Sequence, residues 1–151
     1  MRYQGIGEKA VREQLMKNWN RRWMESDKGM WTKRLIPDVQ QWVNRKHGEV
    51  DYYFTQFFTG HGDFGKFLPR IGKRPNPACR YCGEEEDNVE HTFWHCPRWY
   101  IERNECECLL SSQPETLLQA LLDEEVQWKK LASAARVILQ KKNEDARLAI
   151  H

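Results

Sequence analysis

The chain has 151 residues, of which 40% are hydrophobic, 12% aromatic and 30% charged, which suits one domain or a compact pair of subdomains. No apolar run approaches the roughly 18 residues needed to span a bilayer. A polar, charged stretch follows Met1, so we expect neither a signal peptide nor a membrane partner, and a cytoplasmic or nuclear location is predicted.

The net charge of +2 conceals a difference between the two halves of the chain. Residues 1–80 contain 16 Lys/Arg and 8 Asp/Glu, whereas residues 81–151 contain 8 Lys/Arg and 14 Asp/Glu. A basic first half favours a polyanionic partner such as RNA or DNA. The alternative interpretation is that the two halves attract each other.

Two amphipathic helices are predicted in the first third of the chain. In the first, over residues 7–26, apolar side chains recur every four positions, and such a stripe is usually core. Its members are Val11, Leu15, Trp19 and Trp23. The second helix is predicted to have Pro37 near its first turn, where a missing N–H costs little, and to stop at His47-Gly48. Its buried face is expected to contain Val39, Trp42 and Val43.

Residues 50–59 could form a strand on composition, but aromatic side chains recur there at helical spacing, which favours a helix. Gly60-His61-Gly62 predicts a sharp turn, in which we interpret His61 as a turn residue and not as a catalytic one. Asp63 is then a candidate N-cap for a short helix through Phe64, Phe67 and Leu68. Residues 72–78 are predicted to form a basic linker.

A cluster of thiols and imidazole follows, with the spacing C-x2-C-x8-H-x4-C. Its members are Cys79, Cys82, His91 and Cys96. In a reducing compartment such a cluster favours a metal over a disulfide, and the CxxC pair lets two thiolates share a tetrahedral Zn²⁺ at about 2.3 Å. Four protein ligands leave no position for a catalytic water, so the spacing predicts a structural zinc site. His95 stands four residues after His91, a spacing that can also bind one ion, and is the reserve ligand in place of Cys96.

A nucleic-acid contact is predicted beside this cluster. The acidic run at residues 84–87 speaks against phosphate binding by the loop itself, so the contact should use neighbouring basic side chains and one stacking ring. These residues are Lys66, Arg70, Lys73, Arg74, Arg80, Tyr81 and Arg98. Zn²⁺ with three thiolates carries a net charge of −1, which Arg80 and nearby N–H groups are expected to relieve.

The remaining sequence predicts further helices. One covers about residues 88–104 with His91 and Cys96 on neighbouring turns, interrupted at Pro97 if it is continuous. After a turn at residues 111–115 comes a leucine-rich helix, and a last helix begins near Glu124. The apolar face of this last helix is expected to pack on the rest of the chain. That face consists of Trp128, Leu131, Ala135 and Ile138.

These patterns predict an all-α fold: several short helices around one zinc-stapled CCHC knuckle, with a long C-terminal helix. Residues 1–72 would form a basic helical subdomain, residues 73–105 the knuckle and its following helix, and residues 106–151 an acidic, leucine-rich tail packed on the rest. The sequence has no Gly-rich phosphate loop and no polymerase-type Asp pair. We therefore expect neither an enzyme nor a small-molecule substrate.

Several motifs also occur in a specific order. They are residues 31–38 (WTKRLIPD), residues 56–64 (QFFTGHGDF), Cys79-x2-Cys82, Asp87-x3-His91 and Cys96-Pro97-Arg98. This order, over about residues 15–105, resembles the C-terminal region of insect non-LTR (LINE-type) retrotransposon polyproteins, which follows their reverse transcriptase. The resemblance implies that the four cluster residues are zinc-knuckle ligands and that the module contacts template RNA or target DNA.

The polymerase and endonuclease domains of that family are absent from this sequence, so their activities are not implied. An alternative is that a recruited retrotransposon fragment serves as a protein-interaction module or effector. In that case, the C-terminal tail would bind the protein partner.

Overall fold

A computed structural model describes residues 3–62, 64 and 77–150. All the helices and turns assigned there agree with the predicted all-α class, and no strand occurs in these residues. The α-helices are α1 (Tyr3–Glu25), α2 (Met30–Leu35), α3 (Val39–Val43), α4 (Tyr52–Thr59), α5 (Tyr100–Asn104), α6 (Glu107–Ser111), α7 (Pro114–Asp123) and α8 (Glu125–Ile150). A π-helical turn (His91–His95) and a 3-10 turn (Pro97–Trp99) precede α5. None of the described helices is long and apolar enough to cross a membrane.

The core lies between α4 and α8 and is rich in aromatic rings. Asp51 caps α4 by accepting the N–H of Phe54 at 2.8 Å, and Gly60 ends the helix in the left-handed region at φ 74°. The rings of Phe54, Phe57 and Phe58 are buried between Trp42, Phe93 and Trp128. The predicted helix over residues 50–59 is thus confirmed, because burial of one aromatic face outweighs the β propensity of the composition.

Helix α8 packs against α4, α5, α6 and α7. The stripe predicted for its apolar face, Trp128 to Ile138, is fully buried. The indole N–H of Trp128 donates to the carbonyl of Glu49 at 2.9 Å. This stripe is therefore part of the core and is not available to a protein partner.

The predicted first helix is present as α1, but the prediction that its stripe is core is wrong for three of the four residues. The exposed fractions are 58% for Val11, 61% for Leu15 and 51% for Trp19. Only Trp23 packs against the body, where its indole N–H donates to the carbonyl of Ile36 at 2.7 Å. The physical reason is that α1 lies on α3 through its C-terminal part alone.

The predicted second helix is shorter than expected and is preceded by the unpredicted α2. Asp38 is the N-cap of α3, accepting the N–H of Gln40 at 2.9 Å, so Pro37 lies before the helix and not in its first turn. The helix ends at Val43, whose side chain is exposed and not buried. The guanidinium of Arg45 donates to the carbonyls of Trp42 and Gly48. These hydrogen bonds stabilise the non-helical backbone that follows Val43.

The segment after α4 is only partly described. Phe64 is buried, whereas the proposed N-cap Asp63, the helix through Phe67 and Leu68, and most of the 72–78 linker lie outside the described residues.

Candidate metal centre

Two of the four predicted ligands come from one tight hairpin. The N–H of Cys79 donates to the carbonyl of Glu84 and the N–H of Gly83 donates to the carbonyl of Cys79, both at 2.9 Å. Gly83 occupies the left-handed region at φ 79°, which favours glycine because it has no Cβ. This turn brings the side chains of Cys79 and Cys82 to the same side of the hairpin.

The other two ligands come from the π-helical turn. In an α-helix at about 100° per residue, positions five apart differ by about 140° around the axis and cannot share one ion. Here the N–H of Cys96 donates to the carbonyl of His91 at 2.6 Å, an i to i+5 bond that widens the turn. The turn begins where Asn88 accepts the N–H of His91 at 2.8 Å. The predicted helix over residues 88–104 is therefore interrupted, and the wider turn carries Cys96 round to His91.

The four ligand atoms form a compact group. They all lie within 4.8 Å of one another, with 3.9 Å between the sulfurs of Cys79 and Cys96 and 3.2 Å from the Cys82 sulfur to Nε2 of His91. A zinc tetrahedron has sulfur–sulfur edges of about 3.8 Å and sulfur–nitrogen edges of about 3.6 Å. The cluster therefore fits a four-coordinate metal ion. The exposed His95, the reserve ligand, is not part of this group.

Burial keeps the Cys96 thiol and the His91 imidazole uncharged in the absence of a metal ion. Burial raises the pKa of the Cys96 thiol to about 12, and the neighbouring sulfurs of Cys79 and Cys82 contribute to the same shift. Burial lowers the pKa of His91, although the carboxylate of Asp87 opposes the shift. The imidazole is therefore kept neutral, which is the form that ligates a metal, whereas the thiol requires a cation in order to ionise.

A half-buried arginine stabilises the end of the π-helical turn. Arg103 of α5 donates to the carbonyls of Phe93 at 2.8 Å, Thr92 at 3.3 Å and Cys96 at 2.7 Å. Its charge therefore lies beside the thiolate end of the cluster. Arg80 donates to the backbone carbonyl of Lys142 at 3.2 Å, and its expected role in relieving the negative charge stays a prediction.

An ion pair without solvent exposure joins the hairpin to α8. The ammonium of Lys142 lies 3.0 Å from one carboxylate oxygen of Asp87 and 3.2 Å from the other, and both side chains are 0% exposed. Asp87 also accepts the hydroxyl of Thr92 at 3.2 Å. The hydroxyl of Tyr81 donates to Asp145 at 2.7 Å, so two residues of α8 hold the segment that carries the ligands.

Three of the predicted nucleic-acid residues lie together on the hairpin side of this junction. The guanidinium carbons of Arg80 and Arg98 lie 6.0 Å and 5.7 Å from the centre of the Tyr81 ring. Arg98 also stacks on Trp99 at 4.3 Å. The other predicted residues lie outside the described part of the chain. They are Lys66, Arg70, Lys73 and Arg74.

The acidic side chains of the loop line a separate cavity of about 520 Å³. Glu84, Glu86 and Glu90 line it, together with Cys82, His91 and His95. Carboxylates disfavour phosphate, and the prediction that the loop itself is not the phosphate-binding edge stays a prediction.

Sequence reasoning missed Arg103 and Lys142. Lys142 continues the apolar stripe of α8 four residues after Ile138, and this position inside a buried face could have indicated it. No comparable signal marks Arg103, because its role depends on carbonyls exposed by the π-helical turn.

The chain resembles curated retroelement proteins in part of its length. It is 32% identical over 97 residues to the retrovirus-related Pol polyprotein from type-1 retrotransposable element R1 2 of Nasonia vitripennis, covering 64% of this chain and 23% of that protein. A second Nasonia vitripennis protein, from element R1 4, is 33% identical over 88 residues, covering 58% of this chain and 22% of that protein. Part of this chain is homologous to R1 Pol polyproteins.

A third relative, the R1 Pol polyprotein of Bradysia coprophila, is 32% identical over 85 residues, covering 56% of this chain and 8% of that protein. The chain thus spans less than a quarter of the length of these relatives. No protein-family model and no solved structure matches it. The resemblance to insect retrotransposon polyproteins is confirmed, whereas the C-terminal position within them stays a prediction.

Proposed function

We propose that this chain is a zinc-organised, non-catalytic helical module of a retroelement Pol polyprotein, and that it binds RNA or single-stranded DNA mainly through phosphates. The observation that carries the proposal is the grouping of Arg80, Tyr81 and Arg98 on the segment that the metal cluster shapes. Two guanidinium groups beside an aromatic ring match the charge and the stacking surface that single-stranded nucleic acid offers.

The local charge supports the same proposal. Arg80, Arg98 and Lys141 lie around Tyr81 and the carboxylate of Asp145, which pairs with Lys141 at 3.4 Å. Arg80 and Arg98 are exposed and can reach a phosphate without being desolvated first. Homology of part of the chain to Pol polyproteins of retrotransposable elements agrees with such a partner.

A structural role for the metal follows from the ligand set. Cys79, Cys82, His91 and Cys96 would hold Zn²⁺, which would order the hairpin and the π-helical turn when bound. Because protein groups would fill all four positions, the metal itself would have no open position for a reacting water or substrate.

The test is the affinity for a labelled single-stranded RNA measured by fluorescence anisotropy over a range of salt concentrations. We expect log K to fall linearly with log salt, with a slope of about −0.7 per phosphate contact. Affinity that does not change with salt would contradict phosphate binding. Duplex DNA and single-stranded DNA in the same series identify the preferred nucleic acid.

The contribution of the described residues is tested by the double variant Arg80→Gln with Arg98→Gln. Losing two contacts should reduce the magnitude of the salt slope by about 1.4. Lys129→Gln with Lys130→Gln is the matched control, because it removes the same charge from exposed positions on α8 about 18 Å away from Lys142. Equal losses in the two variants would show a general charge effect and not a site.

A further inference from the structure

The N-terminal part of α1 carries an apolar stripe that nothing in the described structure covers. The helix is fixed at its C-terminal end, where Asn20 accepts the N–H of Val39 at 3.1 Å and Trp23 donates to Ile36. Every side chain from residue 7 to residue 15 is exposed. Val11, Leu15 and Trp19 therefore present their apolar surface to solvent along the length of the helix.

The stripe continues at both ends into charged residues on the same side of the helix. At about 100° per residue, all of these side chains lie within about 40° of Leu15. They form what we term the α1 seam: Glu8, Val11, Leu15, Trp19 and Arg22. The two body contacts lie elsewhere on the helix, Trp23 at about 80° and Asn20 at about 140° from Leu15. The seam thus lies to one side of these contacts, on the exposed part of the helix.

The order of residues along the seam is complementary to itself. An acidic residue stands seven positions before Leu15 and a basic residue seven positions after it, with Val11 and Trp19 each four positions away. We propose that the α1 seam binds the α1 seam of a second copy of this chain, antiparallel and with Leu15 at the two-fold axis. Glu8 of each copy then faces Arg22 of the other, and Val11 faces Trp19.

The charges decide between the two possible orientations. In a parallel pair Glu8 would face Glu8 and Arg22 would face Arg22, which are repulsive contacts at both ends. In the antiparallel pair both ends attract, and the same surface patch serves both copies, as a two-fold interface requires. An acid–apolar–base order that is symmetric about one leucine is the order that two identical antiparallel helices need in order to match.

The interface is small, so the dimer should dissociate on dilution. One helix face on each side buries less than the roughly 1,200 Å² of a standard stable complex. Sedimentation equilibrium of the full chain over a wide range of concentrations should therefore show a mass that rises from 18.1 kDa towards twice that value. Leu15→Glu should hold the mass at the monomer value, since it places two like charges at the axis of a helix face that makes no contact with the core.

Charge exchange tests the antiparallel orientation. Glu8→Arg alone and Arg22→Glu alone should each weaken association by about tenfold, because both symmetric pairs become repulsive. The double variant Glu8→Arg with Arg22→Glu should restore association to the wild-type value. Glu13→Arg is the matched control, because Glu13 is exposed on α1 at about 160° from Leu15 and should not affect the dimer.

Three results would overturn the proposal. One is a mass that stays at the monomer value at every concentration, which would leave the seam to a different protein or to nothing. Another is a dimer that persists in Leu15→Glu, which would place the interface elsewhere. The third is a double charge-exchange variant no better than the single ones, which would exclude the antiparallel pairing. None of these readouts depends on metal or on nucleic acid.

Discussion

The aromatic core between α4 and α8 and the metal-ligand segment at residues 77–96 are stabilised by different interactions. In the core, Phe54, Phe57 and Trp128 are buried among other rings, and the polar contacts are helix caps and indole N–H groups that donate to backbone carbonyls. In the ligand segment, thiols, an imidazole and a buried carboxylate occupy interior positions, each of which is unfavourable without a partner.

This difference shows which conditions each region depends on. Burial of apolar rings is insensitive to metal and to moderate changes of pH, because no charge is involved. The ligand segment has the ammonium of Lys142 at Asp87, and on the proposed metal-binding role it also depends on a cation at the sulfurs. Removing the metal or the ion pair should therefore unfold the ligand segment while the aromatic core stays folded.

Removal of the metal should have the largest effect. With a chelator, residues 77–96 are expected to lose protection from hydrogen exchange, while α4 and the first half of α8 retain theirs. The reason is that binding of a structural zinc contributes on the order of 10 kcal/mol to the folding of the segment that carries its ligands. Cys79→Ser should reproduce the chelated pattern without chelator. Cys106→Ser is the control, because this buried thiol lies outside the ligand cluster. Loss of protection in α4 as well would show that the two regions unfold as one.

Removal of the buried ammonium should come next. Lys142→Ala leaves the Asp87 carboxylate buried without its cation, and we expect a loss of about 3–5 kcal/mol in the free energy of unfolding by urea denaturation. Lys141→Ala is the matched control. The ion pair of Lys141 with Asp145 is partly exposed to solvent, so the expected loss is below about 1 kcal/mol. Adding Asp87→Ala to Lys142→Ala should recover part of the loss. A double variant as unstable as the single one would contradict the buried-charge explanation.

A comparison of two glycines separates packing from backbone conformation. Gly48 has φ 112° and a Cβ there would lie 2.6 Å from the Trp128 ring, so Gly48→Ala should cost about 2–4 kcal/mol. Gly83 has φ 79° but nothing within 4 Å of the Cβ position, so Gly83→Ala should show the conformational cost alone, about 1 kcal/mol. Thermal unfolding of the metal-loaded protein measures both. Equal losses in the two variants would mean that the close approach of Gly48 to Trp128 adds no cost to that of the backbone conformation.

The smallest effect is expected at the surface pair that joins α2 to the start of the π-helical turn. Arg34 binds both carboxylate oxygens of Glu90 at 2.9 Å, and this hydrogen bonding lowers the pKa of Glu90. A lowered carboxyl pKa stabilises the fold only while the group is ionised. The contribution is therefore present above a pH of about 4.5 and is lost as the pH falls below it.

Because both side chains are about a third exposed, Arg34→Ala should cost less than about 1 kcal/mol at neutral pH. The difference in unfolding free energy between wild type and Arg34→Ala should disappear at low pH. A difference that grew on acidification would have the wrong sign for this pair.

The sequence was sufficient to predict which Cys and His side chains lie together, and insufficient to predict which apolar helix faces are buried. The Cys/His spacing identified the cluster because ligand spacing is a local property. The stripes of α1 and α8 both have helical spacing, yet most of the first is exposed and the second is buried, because spacing does not determine where a helix lies in the fold. The π-helical turn could not be read from residues 91–96, since one extra residue in a turn leaves no compositional trace.

The contacts of α8 set a lower limit on the length of any excised metal-binding peptide. A peptide that ended soon after Cys96 would keep every coordinating atom but would lack the side chain and carbonyl of Lys142 and the carboxylate of Asp145. It would also lose Arg103, which binds the carbonyls at the end of the turn. If the four residues bind a metal as proposed, the affinity of such a peptide should underestimate that of the protein, in which Lys142 and Asp145, more than 40 positions downstream of Cys96, hold the segment that carries them.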